Sequence, residues 1–139
     1  MSIEYRVPME CGQLAILTIH RYSDNELDIA IGNSSHFGGE IINEAWIRLN
    51  KLRINSLASD IKKYLDDDTF NQKKYQIPTN YGYANHISIE VSRYTNNQFE
   101  IHIANESTFN GGIISETFIR LNKIIAGRLY NELQEFLTK

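Results

Sequence analysis

The sequence predicts an α+β fold: two internal ββββα repeats, each an antiparallel sheet covered on one face by a helix, packed together with pseudo-twofold symmetry. Three observations carry this. Residues 14–65 align with 86–137 without a gap, at an offset of 72, and share 19 identities in 52 positions. Within each copy, apolar and polar residues alternate over successive stretches, the period of half-buried strands. After the repeated phrase Trp46-Ile-Arg-Leu-Asn-Lys51 and Phe118-Ile-Arg-Leu-Asn-Lys123, the apolar spacing lengthens to that of a helix.

The first strand is expected at Ile3 to Met9, with Lys74 to Thr79 as its copy. Both stretches run into a proline, Pro8 and Pro78, and these are the chain's 2 prolines. A proline donates no ladder hydrogen bond, so it suits a strand end or an edge strand. The second strand is Leu14 to Tyr22, copied as His86 to Tyr94. Ile87, Ile89 and Val91 alternate with Ser88, Glu90 and Ser92, which places Ala15, Leu17 and Ile19 inward in the first copy. Arg21 and Arg93 fall at the inward-phase ends of these strands, while Tyr22 and Tyr94 face out.

Ser23-Asp24-Asn25 and Thr95-Asn96-Asn97 are turn residues between alternating runs, so a hairpin follows. The third strand is Leu27 to Ile31, copied as Phe99 to Ile103. A loop comes next, 33–39 and 105–111, whose repeated Phe37 and Phe109 are expected to plug it onto the core. The fourth strand is Ile42 to Leu49 and Ile114 to Leu121. Asn50 and Asn122 are suited to cap the following helices. In those helices Leu57, Ile61, Tyr64 and Leu65 form one stripe, copied as Leu129, Leu133, Phe136 and Leu137. Each stripe needs a cover, and the apolar face of its own sheet supplies one.

The 139 residues are expected to form a single domain: repeat 1 at 1–65, a linker at 66–74 that opens on Asp66-Asp67-Asp68, and repeat 2 at 75–139. Neither half would bury much apolar surface alone. Net charge is −3, from 14 basic and 17 acidic residues, with −4 over residues 1–70 and +1 over 71–139. That balance has no basic nucleic-acid footprint. The lone Cys11 admits no disulfide within the chain. No apolar run has the ~18 residues of a membrane span, and the first residues lack a signal peptide's apolar stretch. A cytoplasmic protein is expected.

The double ββββα order, with Ile-Arg-Leu-Asn leading into Leu129, Leu133, Phe136 and Leu137, resembles the PUR repeats of purine-rich-element binding proteins. It is also similar to the Whirly family, which shares the order of elements. The resemblance implies non-enzymatic binding of single-stranded nucleic acid. It also admits a small acidic inhibitor or immunity protein that neutralises a toxin or another basic partner, an architecture-level analogy.

The residues that would carry binding lie on the sheet face away from the helices. Tyr22, Trp46, Tyr94 and Phe118 are aromatic platforms on which bases could stack, and Arg48, Lys51, Arg120 and Lys123 are cations for phosphates. Burial of Trp46 and Phe118 between the repeats, or against a second subunit in a homodimer, is the favoured alternative. Glu44 with Arg48, and Glu116 with Arg120, are then expected as paired charges. Glu26, Asp28, Glu90, Glu100 and Glu116 interleave the face and suit a basic protein partner. No phosphate-cradling glycine motif, nucleophile elbow or paired cysteines are present, and the histidines lack metal-ligand spacing, so neither enzyme activity, metal nor cofactor is expected.

Overall fold

The computed structural model describes residues 2–9, 12–34, 41–66, 71–78, 85–107 and 113–138. The first repeat runs β1 (Ser2–Pro8), β2 (Leu14–Ser23), β3 (Glu26–Ser34), β4 (Ile41–Asn50) and α1 (Lys51–Asp66). The second runs β5 (Gln72–Pro78), β6 (Asn85–Thr95), β7 (Gln98–Ser107), β8 (Ile113–Asn122) and α2 (Lys123–Leu137). Each set of four strands is an antiparallel sheet in sequential order, β1-β2-β3-β4 and β5-β6-β7-β8. The α+β architecture is therefore two four-stranded sheets, each followed by a helix. Strand β5 begins at Gln72, within the stretch 66–74 expected as linker. Phe37, Phe109 and Cys11 lie outside the described residues.

The local chemistry explains the elements. Both first strands end on their proline. In the β1–β2 turn Gly12 has φ 84, a conformation glycine adopts without a Cβ penalty, and its N–H donates to the Met9 carbonyl at 3.1 Å. In the hairpins, Asn25 N–H donates to Ser23 Oγ and Asn97 N–H donates to Thr95 Oγ1, each at 3.2 Å. Asn50 accepts from Arg53 N–H and Asn122 from Ile125 N–H, each at 2.9 Å. The two asparagines thus satisfy otherwise orphaned donors of the first helical turns.

The inward set is buried as the alternation predicts: Leu17, Ile29 and Ile47 in the first sheet, Val91, Ile101 and Ile119 in the second. Ile54, Leu57, Ile61 and Tyr64 of α1, with Leu129, Leu133 and Phe136 of α2, complete one hydrophobic cluster that draws on both repeats. Each fully buried Leu, Ile or Phe contributes about 1.5–3 kcal/mol relative to exposure. Helix α1 packs on α2, and β4 and β3 pack against β8. Asn43 Nδ2 donates across the repeats to the Glu116 carbonyl at 2.7 Å.

The ends of the helices show how the halves lock. The Phe136 ring of α2 lies under Arg21 and Lys51 of the first repeat, at 5.0 Å and 5.7 Å from its centroid. The Tyr64 ring of α1 lies under Arg93 and Lys123 of the second, at 4.9 Å and 5.7 Å. These contacts interchange under the offset of 72, so each repeat places its helix end against the same two cations of the other. Phe99 adds an aromatic contact to Tyr64 at 5.1 Å between centroids. Tyr5 of β1 reaches the opposite helix as well. Burial first and the Glu132 carboxylate second raise its pKa, while Arg128 opposes them.

Candidate functional site

The sheet face away from the helices carries the same constellation twice. It begins at an irregularity that alternation alone does not reveal. Arg21 opposes Leu27 and Ser23 opposes Glu26, so Tyr22 is an extra residue in the β2–β3 ladder. Tyr94 is its counterpart between Arg93 and Thr95. A β-bulge twists the strand and re-aims side chains. Here Arg21 and Arg93 reach the helix ends, while Tyr22 and Tyr94 lie against arginines of the outer face.

Arg48 is the centre of the first constellation. Its register partner on β3 is Asp28. Arg48 Nε donates to Asp28 Oδ1 at 2.7 Å and Nη2 donates to Oδ2 at 3.0 Å, a two-pronged clamp. The guanidinium is then fixed flat, and its Cζ lies 3.3 Å from the Tyr22 ring centroid and 5.5 Å from that of Trp46. The hydrogen bond from Arg48 to Asp28 is the main cause that raises the guanidinium pKa above its ordinary value.

Arg120 repeats the arrangement. It stands opposite Glu100 and donates from Nε to Oε1 at 3.0 Å. Its Cζ lies 3.6 Å from the Tyr94 centroid and 4.7 Å from that of Phe118. The two stacks are Tyr22–Arg48–Trp46 and Tyr94–Arg120–Phe118, each pinned by a carboxylate on the neighbouring strand.

The expected burial of this face is corrected by the structure. Trp46 is 40% exposed, Tyr22 55% and Tyr94 48%, with Phe118 partly exposed. The repeats pack through their apolar faces and helices; the opposite face is exposed around Tyr22, Trp46 and Tyr94, while Ser34, Ser88 and Ala104 of the same phase are buried. The expected charge pairs are also corrected. Glu44 and Arg48 are four residues apart on one strand, about 13 Å along it at ~3.3 Å per residue. Cross-strand neighbours are far closer, so Arg48 takes Asp28 and Arg120 takes Glu100. Glu116 meets His102 Nε2 at 2.7 Å instead.

Of the eight residues expected to bind, six gather on this face: Tyr22, Trp46, Arg48, Tyr94, Phe118 and Arg120. Lys51 and Lys123 do not join them. They begin the helices and lie over Phe136 and Tyr64 at the lock between the repeats. Asp28, Glu100 and His102 are site components beyond those eight. Beside the second stack, a cleft of about 250 Å³ opens between Val7, Pro8 and Met9 of one repeat and Gln98, Phe118 and Arg120 of the other. Among the described residues, no group of three or more His, Cys, Asp or Glu is placed to hold a metal ion, and no helix is long and apolar enough to cross a membrane.

Chemically, the face offers flat, exposed aromatic surface at two places 72 residues apart in sequence. Arg48 and Arg120 lie against those rings, and each is engaged by a carboxylate. Among the described residues carboxylates outnumber cations there: Glu4, Glu26, Asp28 and Glu44 against Arg6 and Arg48 in the first sheet, and Glu90, Glu100 and Glu116 against Lys74 and Arg120 in the second.

No family model matches the chain, and no curated protein matches it. Solved structures do share its fold. WHY1 from Arabidopsis thaliana, a Whirly protein, superimposes with a TM-score of 0.64 at 6% identity, over 99% of this chain and 89% of that one. A guideRNA-binding protein complex bound to a gRNA gives 0.60 at 10% identity, over 99% and 88%. The trypanosoma bruciei proteins MRP1/MRP2 give 0.59 at 8% identity, over 99% and 82%. The expected Whirly-like architecture is thus met in the fold.

Proposed function

We propose that this chain is a non-enzymatic, single-stranded nucleic-acid-binding protein of the cytoplasm, whose two aromatic stacks each hold an unpaired base. The observation that carries this reading is the duplicated, exposed aromatic–arginine stack on an open sheet face. A ring fixed on one side by a guanidinium keeps its other surface for a base. Stacking on such a ring contributes ~1–3 kcal/mol per base and tolerates any sequence. The likeness to a guideRNA-binding complex supports the ligand class.

Arg48 and Arg120 position the rings, and their charge is largely spent on Asp28 and Glu100. Binding should therefore be driven more by stacking than by counterion release. In a titration of a labelled oligonucleotide, Trp46→Ala and Phe118→Ala should each weaken binding about 5- to 150-fold, the range that ~1–3 kcal/mol corresponds to. The dependence on salt should be shallow, equivalent to only a few phosphate contacts. Absence of binding to any single strand at low salt would sink the proposal.

One observation favours a second reading. The excess of carboxylates beside Trp46 and Tyr22 suits a basic protein, as an acidic inhibitor or immunity protein would require. Co-purification of a basic protein that high salt releases, together with indifference to oligonucleotides, would select it.

A further inference from the structure

We infer that His102 sets the charge of the second stack and makes its hold on single-stranded nucleic acid tighten as pH falls; this rests on the function proposed above. The geometry is a row across the second sheet. Lys74 on β5, Glu90 on β6, His102 on β7 and Phe118 on β8 stand directly opposite one another in register. Glu116, diagonal to His102 on β8, closes on its Nε2 at 2.7 Å. Glu90 is held from β5 by Gln72, whose Nε2 donates to Oε1 at 2.8 Å. Glu100, two residues before His102, turns to Arg120. The groups facing the imidazole are thus Glu90 and Glu116, with Lys74 beyond them at the end of the row.

The duplication supplies an internal comparison. In the first sheet the equivalent row is Glu4, Thr18, Ala30 and Trp46, with no histidine. Glu44 is present there, as the counterpart of Glu116, but Ala30 gives it nothing to close on. The first sheet's own histidine, His20, lies one row away, opposite Asp28, which Arg48 already clamps.

Histidine is the side chain whose charge ordinarily changes between about pH 5 and 8. With the imidazole neutral, Glu116 beside Phe118 on β8 and Glu90 on the far side of His102 repel an approaching phosphate. With it protonated, the Glu116 charge is matched and that repulsion falls. The His102 side chain is 25% exposed and that of Glu116 51%, so protons and ligand both reach the pair. One unit of charge a few ångströms from a phosphate in a water-like setting corresponds to about fivefold in affinity.

The test is anisotropy of a labelled oligothymidylate, whose bases do not titrate in this range, at low salt between about pH 5.5 and 8. The wild-type chain should bind about fivefold tighter at the acid end. His102→Asn should flatten that profile, and His20→Asn should keep it. Calorimetry of the unaltered protein in two buffers of different ionisation enthalpy should show proton uptake on binding, a readout that needs no variant to fold. A flat wild-type profile, no proton uptake, or an unchanged profile in folded His102→Asn overturns the inference while oligonucleotide binding stands. No binding at any pH removes the proposed function and this inference together.

Discussion

Tyr64→Phe should stabilise the protein. Tyr64 is 0% exposed, and its hydroxyl has no hydrogen-bond partner among the described residues. Its counterpart in the second repeat is Phe136, which occupies the same kind of site beneath an arginine and a lysine without any hydroxyl. The ring contacts with Phe99, Arg93 and Lys123 survive the change, so only the buried oxygen is lost. A buried polar group left unbonded costs about 1–3 kcal/mol, and the low end applies where a cation lies nearby. The variant should gain about 1 kcal/mol, or about 3–5 °C in Tm for a chain of this size.

The pH dependence sharpens the prediction. Burial raises the Tyr64 pKa above its ordinary value, against the opposing charge of Arg93. The folded chain therefore keeps a proton that the unfolded chain releases above about pH 10. That part of wild-type stability is present below about pH 10 and is lost as pH rises toward the folded-state value. Phenylalanine has nothing to titrate, so the gap between the two proteins should widen from about pH 7 to about pH 10.5. Urea denaturation at both values measures it. A loss of 1 kcal/mol or more at neutral pH would refute the reasoning, since it would mean that the hydroxyl makes a bond worth keeping.

Three further outcomes follow from the same contacts. Asn50→Ala and Asn122→Ala should each cost ~1 kcal/mol by removing a helix cap, and denaturant titration reads the loss. Asp28→Ala and Glu100→Ala remove partly exposed ion pairs, so each should lower stability by less than about 1 kcal/mol. They should nonetheless weaken oligonucleotide binding severalfold, because the arginine no longer holds its rings. A fragment of residues 1–70 should show no cooperative melt by circular dichroism, since Tyr64 and the apolar face of the first sheet would lose the second repeat that covers them.

The fold was legible because every strand keeps one mainly apolar face. Leu17, Ile19, Ile29 and Ile47 fall in one phase at every second position, and a slip of one position would move all of them to the other face of the sheet. The caps were legible because Asn50 and Asn122 act within three residues of themselves. The site was legible only in part. Trp46 and Phe118 share a phase with Arg48 and Arg120, so their common face could be read, but whether that face is covered depends on how the second repeat docks. The arginines' partners depend on cross-strand register, which is set by hairpin turns and by the bulges at Tyr22 and Tyr94, and no periodicity records a bulge. Lys51 and Lys123 stand where strand becomes helix. There the period changes, and proximity in sequence to Arg48 and Arg120 no longer means a shared face.

The central claim is that Trp46 is an open stacking surface for a base. It is the chain's single tryptophan, so its intrinsic fluorescence reports on that one position. Titration with an unlabelled single-stranded oligonucleotide at low salt should quench the emission saturably, and Tyr22→Ala, which leaves the tryptophan in place, should shift the midpoint to higher concentration. Emission that stays constant while an independent assay shows the strand bound would contradict the account.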